Sequence, residues 1–86
     1  MSEQASNQDR GPSTALASIP RGTDAQFRVE LAIYKGKRYV SFRQWNKTAG
    51  GEWLPDRLRG CSVRVRELDE VIAALSRARE LVRAEP

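Results

Sequence analysis

The chain has 86 residues and carries 15 Lys and Arg against 11 Asp and Glu, a net charge of +4. That length allows one small domain. It contains no histidine and a single cysteine, which excludes an intrachain disulfide and a zinc site of the usual Cys/His type and fits a reducing compartment.

Residues 1–25 are rich in Ser, Gln, Asn, Gly and Pro and hold two basic and three acidic residues. They show no sustained hydrophobic period, so the expectation is a disordered N-terminal tail with too little apolar surface to offset the entropy of ordering. Ala15, Leu16 and Ile19 are the tail's only candidates for docking. The start of the chain lacks the charged-then-apolar pattern of a secretory signal, and no apolar run approaches the roughly 20 residues of a bilayer span. A soluble intracellular protein is expected, cytoplasmic or nucleoid-associated in a bacterium and nuclear in a eukaryote.

From Phe27 the pattern alternates. Phe27, Val29, Leu31 and Ile33 fall on one side of a strand, and Arg28, Glu30 and Tyr34 on the other. Lys35-Gly36-Lys37 supplies a tight turn. A second strand, from Arg38 to Trp45, puts Val40 and Phe42 on one face and Tyr39, Ser41, Arg43 and Trp45 on the opposite one. The polar stretch Asn46 to Gly51 reads as a loop. A short third strand is expected from Glu52 to Arg57, with Pro55 marking an edge or bulge position. Gly60 reads as a turn before a fourth strand containing Cys61, Val63 and Val65, with Cys61 as a small buried hydrophobe.

The period then changes to that of a helix over residues 67–83, with Leu68, Val71, Ile72, Leu75, Ala78 and Val82 in one stripe. Acidic residues lead this segment and arginines end it, the order the helix dipole favours. The expected fold is α+β: a curved, four-stranded antiparallel sheet followed by one C-terminal amphipathic helix, with the domain spanning residues 26–86. One sheet face is expected to pack the helix, leaving the other for a partner. About sixty residues make a marginal core, so a homodimer is expected, with Leu68, Val71, Ile72 and Leu75 serving both the core and the interface.

Charge is segregated along the chain. Residues 26–66 hold ten Lys and Arg against three acids, a net of +7, whereas residues 67–86 hold three against five. A basic centre interleaved with aromatic side chains suits a polyanion: cations meet phosphates, and flat rings give unpaired bases a stacking surface. Without histidine, a paired-carboxylate constellation or a phosphate-cradling glycine loop there is little to run chemistry with. The expectation is a binding protein rather than an enzyme, with no cofactor or metal. The acidic start of the helix argues against a membrane surface.

In order, the chain presents Lys35-Gly36-Lys37, Val40-Ser41-Phe42-Arg43-Gln44-Trp45, Glu52-Trp53-Leu54-Pro55, Gly60-Cys61-Ser62-Val63 and an amphipathic helix. This set resembles the positive cofactor 4 family of transcriptional coactivators, single-stranded-DNA-binding proteins with a ββββα domain, over residues 26–80. The resemblance implies dimerisation through the helix and neighbouring sheet, and strand binding across both subunits. Carried over, it makes Tyr34 and Trp45 stacking residues, Lys35, Lys37 and Arg38 backbone contacts in the hairpin, and Arg43 a contact on the sheet face. Arg57 and Arg59 would line the strand path, and Lys47 completes the basic set.

Three features depart from the family pattern. Trp45 is followed by Asn46 rather than a second aromatic, and Arg66-Glu67 stands where the helix usually opens on Pro or a small polar residue. The Pro55-to-Gly60 interval is also one residue longer, which leaves the individual parts of Arg57, Leu58 and Arg59 open. Trp53, beside Leu54 and Pro55, reads as a packing or dimer residue.

Two functions stand at this point. The first is single-stranded DNA binding with little sequence preference, in transcription, replication or repair, with RNA as an alternative strand. The second is a protein-interaction module contacting an acidic partner such as part of the transcription machinery.

Overall fold

The computed structural model describes residues 10–85. Four antiparallel strands form one sheet in the order β1-β2-β3-β4: β1 (Arg10–Pro20), β2 (Ala25–Tyr34), β3 (Lys37–Lys47) and β4 (Trp53–Arg64). A 3₁₀ turn at Val65–Glu67 leads into the helix α1 (Leu68–Ala84). The ββββα architecture is as expected, but the strands are not the four read from the sequence.

The first difference lies in the expected tail. Arg10–Pro20 is a strand, paired with β2 from Arg10↔Tyr34 to Pro20↔Gln26. Its pairing is backbone to backbone, which small and polar residues such as Ser13, Thr14 and Ser18 can make without any hydrophobic period. Between Ala15 and Ala17 the register slips, so that Leu16 bulges out of the ladder. The part of the expected tail at residues 1–9 lies outside the described residues.

The second difference lies in β4. The expected third and fourth strands are one strand, and Gly60 is not a turn but lies within it. On β3, Arg43 and Trp45 pair with Gly60 and Pro55, so residues 56–59 oppose Gln44 alone. Pro55 has no N–H to give the ladder, and the surplus residues leave it as a wide bulge.

The β2–β3 turn is as expected. Tyr34 pairs with Lys37 across Lys35 and Gly36, whose φ angles are 52° and 78°. Two consecutive positive φ values give the two-residue hairpin the twist of its strands, and glycine meets that demand at no steric cost.

The register makes the sheet two-sided. One face carries Phe27, Val29, Leu31 and Ile33 of β2 with Val40 and Phe42 of β3, extended by Cys61 and Val63 of β4 and by Ala17 and Ile19 of β1. Phe27 and Phe42 pack with ring centroids 6.3 Å apart. The other face carries Arg28, Tyr39, Ser41, Arg43 and Trp45.

The helix does not cover the apolar face. α1 leans on the 3₁₀ turn before it rather than across the sheet, and Ile72, Leu75, Leu81 and Val82 of its apolar stripe are exposed. Among the described residues the helix therefore makes no extensive packing on the sheet within the protomer. Among the described residues only Ala32 and Val40 form a buried apolar core, and Cys61 is exposed rather than buried. The radius of gyration is 15.0 Å, against about 12 Å for a compact chain of this length.

Candidate nucleic-acid interface

β3 alternates Tyr39, Ser41, Arg43, Trp45 and Lys47 on the face away from the apolar one, and β2 sets Arg28 beside them. The two tryptophans meet here. Lys47 pairs with Trp53 and Trp45 with Pro55, so both indoles project from the same face, and the Arg28 guanidinium carbon lies 4.1 Å from the Trp45 ring centroid and 5.9 Å from that of Trp53. Arg28 Nε donates to Gln26 Oε1 at 2.9 Å, which fixes the guanidinium in place. The Lys47 ammonium is 6.0 Å from the Trp53 ring centroid. Cations over indole faces are attracted by the ring quadrupole, and the cluster holds two indoles and the Arg28 guanidinium in a half-buried row with the Lys47 ammonium exposed beside it.

Beside this row runs an open groove of about 490 Å³, floored by Ala32 and Ser41 and walled by Tyr34, Tyr39, Arg43 and the Pro55–Arg57 stretch of β4. Small residues at the floor let the flanking rings stand above it. The Arg43 side chain crosses the groove wall and donates from Nη1 to the Asp56 carbonyl oxygen at 2.6 Å. Its guanidinium lies over Gly60, where a Cβ atom would stand 2.5 Å from Arg43 Cζ. That close approach is why glycine occupies a strand interior, where it otherwise costs stability.

The bulge in β4 is braced from the opposite face. Asp56 Oδ1 accepts the Leu58 N–H at 2.9 Å and Oδ2 accepts from Asn46 Nδ2 at 2.9 Å. The relay continues as Gln44 Nε2 donates to Asn46 Oδ1 at 2.9 Å and Arg21 Nη1 to Gln44 Oε1 at 3.2 Å. The Asn46 amide, then the Leu58 N–H and the nearby Arg59 charge hold the Asp56 carboxyl below its ordinary value of 3.8.

No protein-family model and no curated protein matches the chain. Two solved structures do, and both are of one PC4 homolog from Burkholderia pseudomallei K96243. The orthorhombic form is 29% identical with a TM-score of 0.69, covering 77% of this chain and 88% of that one. The tetragonal form is 28% identical with a TM-score of 0.70, covering 78% and 97%. The chain is PC4-like.

Within this PC4-like sheet the residues singled out from the sequence divide by place. Arg43, Trp45 and Lys47 share the grooved face; Tyr34, 39% exposed, ends β2 at the groove, and Arg57 lines it. Lys37 pairs with Tyr34 at the hairpin end, Lys35 occupies the turn with its ammonium 5.3 Å from the Tyr34 ring centroid, and Arg38 falls on the opposite strand parity. Arg59 sits at the far end of the bulge beside Gly60. Of the proposed interface residues, Leu68 and Val71 are half-buried near the 3₁₀ turn, and Ile72 and Leu75 are exposed.

Arg28 and Tyr39 belong to the same face, although the sequence does not mark them as site residues. Their alternation opposite Val29 and Val40 carries the signal for the face, but nothing in the sequence marks Arg28 as the cation between two indoles. Trp53, read as a packing residue, stands with Trp45 in that row.

Proposed function

We propose that the PC4-like chain binds single-stranded DNA with little sequence preference, as a homodimer, through the grooved face of its sheet. The observation that carries this is the row Trp45–Arg28–Trp53 beside a groove walled by Tyr34, Tyr39 and Arg43. Rings on one face with guanidinium groups among them suit unpaired bases and phosphates together, whereas a duplex hides its base faces. Tyr34, Trp45 and Trp53 stack bases. Lys35, Lys37, Arg43, Lys47, Arg57 and Arg59 supply the phosphate contacts, and Arg38, on the opposite strand parity, adds positive charge at the hairpin end. Such a protein acts where single strands are transient, in transcription, replication or repair. It is a binding protein rather than an enzyme.

The apolar side supports the dimer reading. Phe27, Leu31, Phe42 and Val63 are only half-buried on a face with no helix over it, and the stripe of α1 is exposed. Covering each such side chain contributes roughly 1 kcal/mol. A second copy places two incomplete cores against each other and leaves both grooved faces free. No helix among the described residues is long and apolar enough to cross a membrane.

The test is intrinsic tryptophan fluorescence during titration with a short poly-dT strand and with a matched duplex, at low and moderate salt. Quenching that prefers the single strand and weakens with salt, with a log–log slope of about −0.7 per phosphate neutralised, is expected. Trp45→Ala is expected to cost about 1–3 kcal/mol of that affinity. A folded dimer that ignores both strands would assign the face to an acidic protein partner.

A further inference from the structure

Leu58 is 92% exposed, well beyond any other large apolar side chain described. A lone exposed leucine on a slack loop would call for no explanation. This one is held at the tip of a braced bulge. Its N–H is bonded to Asp56 Oδ1, Asp56 Oδ2 is bonded to Asn46, and the Asp56 carbonyl oxygen takes Arg43 from the other face of the sheet. The bulge is therefore anchored on both sides, and its backbone cannot fold Leu58 back against the sheet without breaking those bonds. Arg57 and Arg59 flank the leucine, and Arg57 lines the groove. Leu58 thus follows directly in the chain on a residue of the groove wall.

We propose that Leu58 is a specificity-determining residue that inserts between adjacent bases of the bound strand, so that the protein favours sequences whose bases stack weakly. The inference rests on the single-strand reading of the grooved face. Apolar side chains wedge between base steps when packing against the separated bases outweighs the cost of unstacking them. Water is a poor neighbour for an isolated leucine, and two base faces remove most of it. The unstacking cost falls on the nucleic acid and depends on its sequence. It is small for thymine runs and larger for adenine runs, so stacking strength becomes a source of preference without any hydrogen bond to a base edge.

The experiment compares the full chain with its Leu58→Ser and Leu58→Met variants on poly-dT and poly-dA strands of equal length. In parallel, a poly-dA strand carrying one 2-aminopurine reports unstacking as a rise in its fluorescence. Wild type and Leu58→Met are expected to prefer dT and to brighten the probe. Leu58→Ser is expected to reduce the dT-to-dA affinity ratio by about fivefold, the weak end of one stacking contact, and to leave the probe dark. Equal losses on both strands would make Leu58 an ordinary apolar contact and overturn insertion, as would an unchanged ratio. A Leu58→Ser chain that sediments as a monomer would assign the leucine to the subunit interface instead. If wild type binds neither strand, the single-strand reading itself fails, a result distinct from a lost ratio.

Discussion

Gly60 and Arg43 show how one missing side chain positions another. A methyl group at residue 60 would meet the Arg43 guanidinium, the mobile end of a long side chain, so Gly60→Ala is expected to displace Arg43 rather than the sheet. Stability should change by no more than about 1 kcal/mol, while affinity for poly-dT should fall roughly fivefold as Arg43 leaves the Asp56 carbonyl. Thermal melts and a binding titration on one preparation separate the two effects. Asp56 carries a pH signature. Its carboxyl is held low by Asn46, then by the Leu58 amide, so it is more acidic in the folded chain than in the unfolded one. Its stabilising contribution is therefore present above the ordinary carboxylate value and lost as the pH falls through the lowered one. Urea midpoints of wild type and Asp56→Ala should differ by a constant amount above about pH 5 and converge as the pH falls through the lowered value.

At the scale of elements, β1 reverses an expectation about truncation. As a tail, residues 1–25 would be dispensable. Arg10–Pro20 is instead a strand paired with β2 along its length, so deleting residues 1–21 exposes a sheet edge and removes a row of cross-strand pairs. Deletion is expected to cost roughly 2–4 kcal/mol and to lower the melting temperature by roughly 10–20 °C, read by calorimetry. An unchanged melt would mean that β1 adds nothing to the sheet. The contrast with β2 and β3 shows what a sequence displays. Phe27, Val29, Leu31, Val40 and Phe42 announce their face by period two, and Lys35-Gly36 announces its turn by the φ angles it tolerates. Arg43 and Trp45 are legible on their face for the same reason. Ser13, Thr14 and Ser18 pair through main-chain groups that every residue carries, so nothing distinguishes them from a tail. Pro55 is legible as a bulge position, but Gly60, a turn residue by type, here closes that bulge inside one strand, because the opposing β3 continues through. Arg28 is legible as to face but not as to neighbour, and Trp53, read as a packing or dimer residue, as to neither, since cross-strand contacts depend on a register the bulge shifts.

For the whole molecule the helix is legible in extent and not in placement. An amphipathic stripe records that something covers it, not whether the cover belongs to the same chain. The exposed Ile72 and Leu75 and the open apolar sheet face fit a second copy. Leu75→Lys is therefore expected to shift the protein from dimer to monomer at micromolar concentration and to lower its melting temperature, with sedimentation velocity as the readout. A native dimer after that substitution would remove the helix from the interface. Wild-type melting temperature should rise with protein concentration, as it does when folding is linked to association.

The order β1-β2-β3-β4 has a consequence for how the molecule comes into being. Each strand pairs only with its neighbour in sequence, so the sheet closes through short loops that cost little entropy to form. The hairpin at Lys35-Gly36 provides a local start, and β4 and β1 add to its two sides without threading past anything. Association requires an encounter with another chain. The sheet thus forms at a rate set by the chain alone, and in the proposed dimer its apolar face stays open for a time set by concentration, which makes dilution rather than topology the hazard during its assembly.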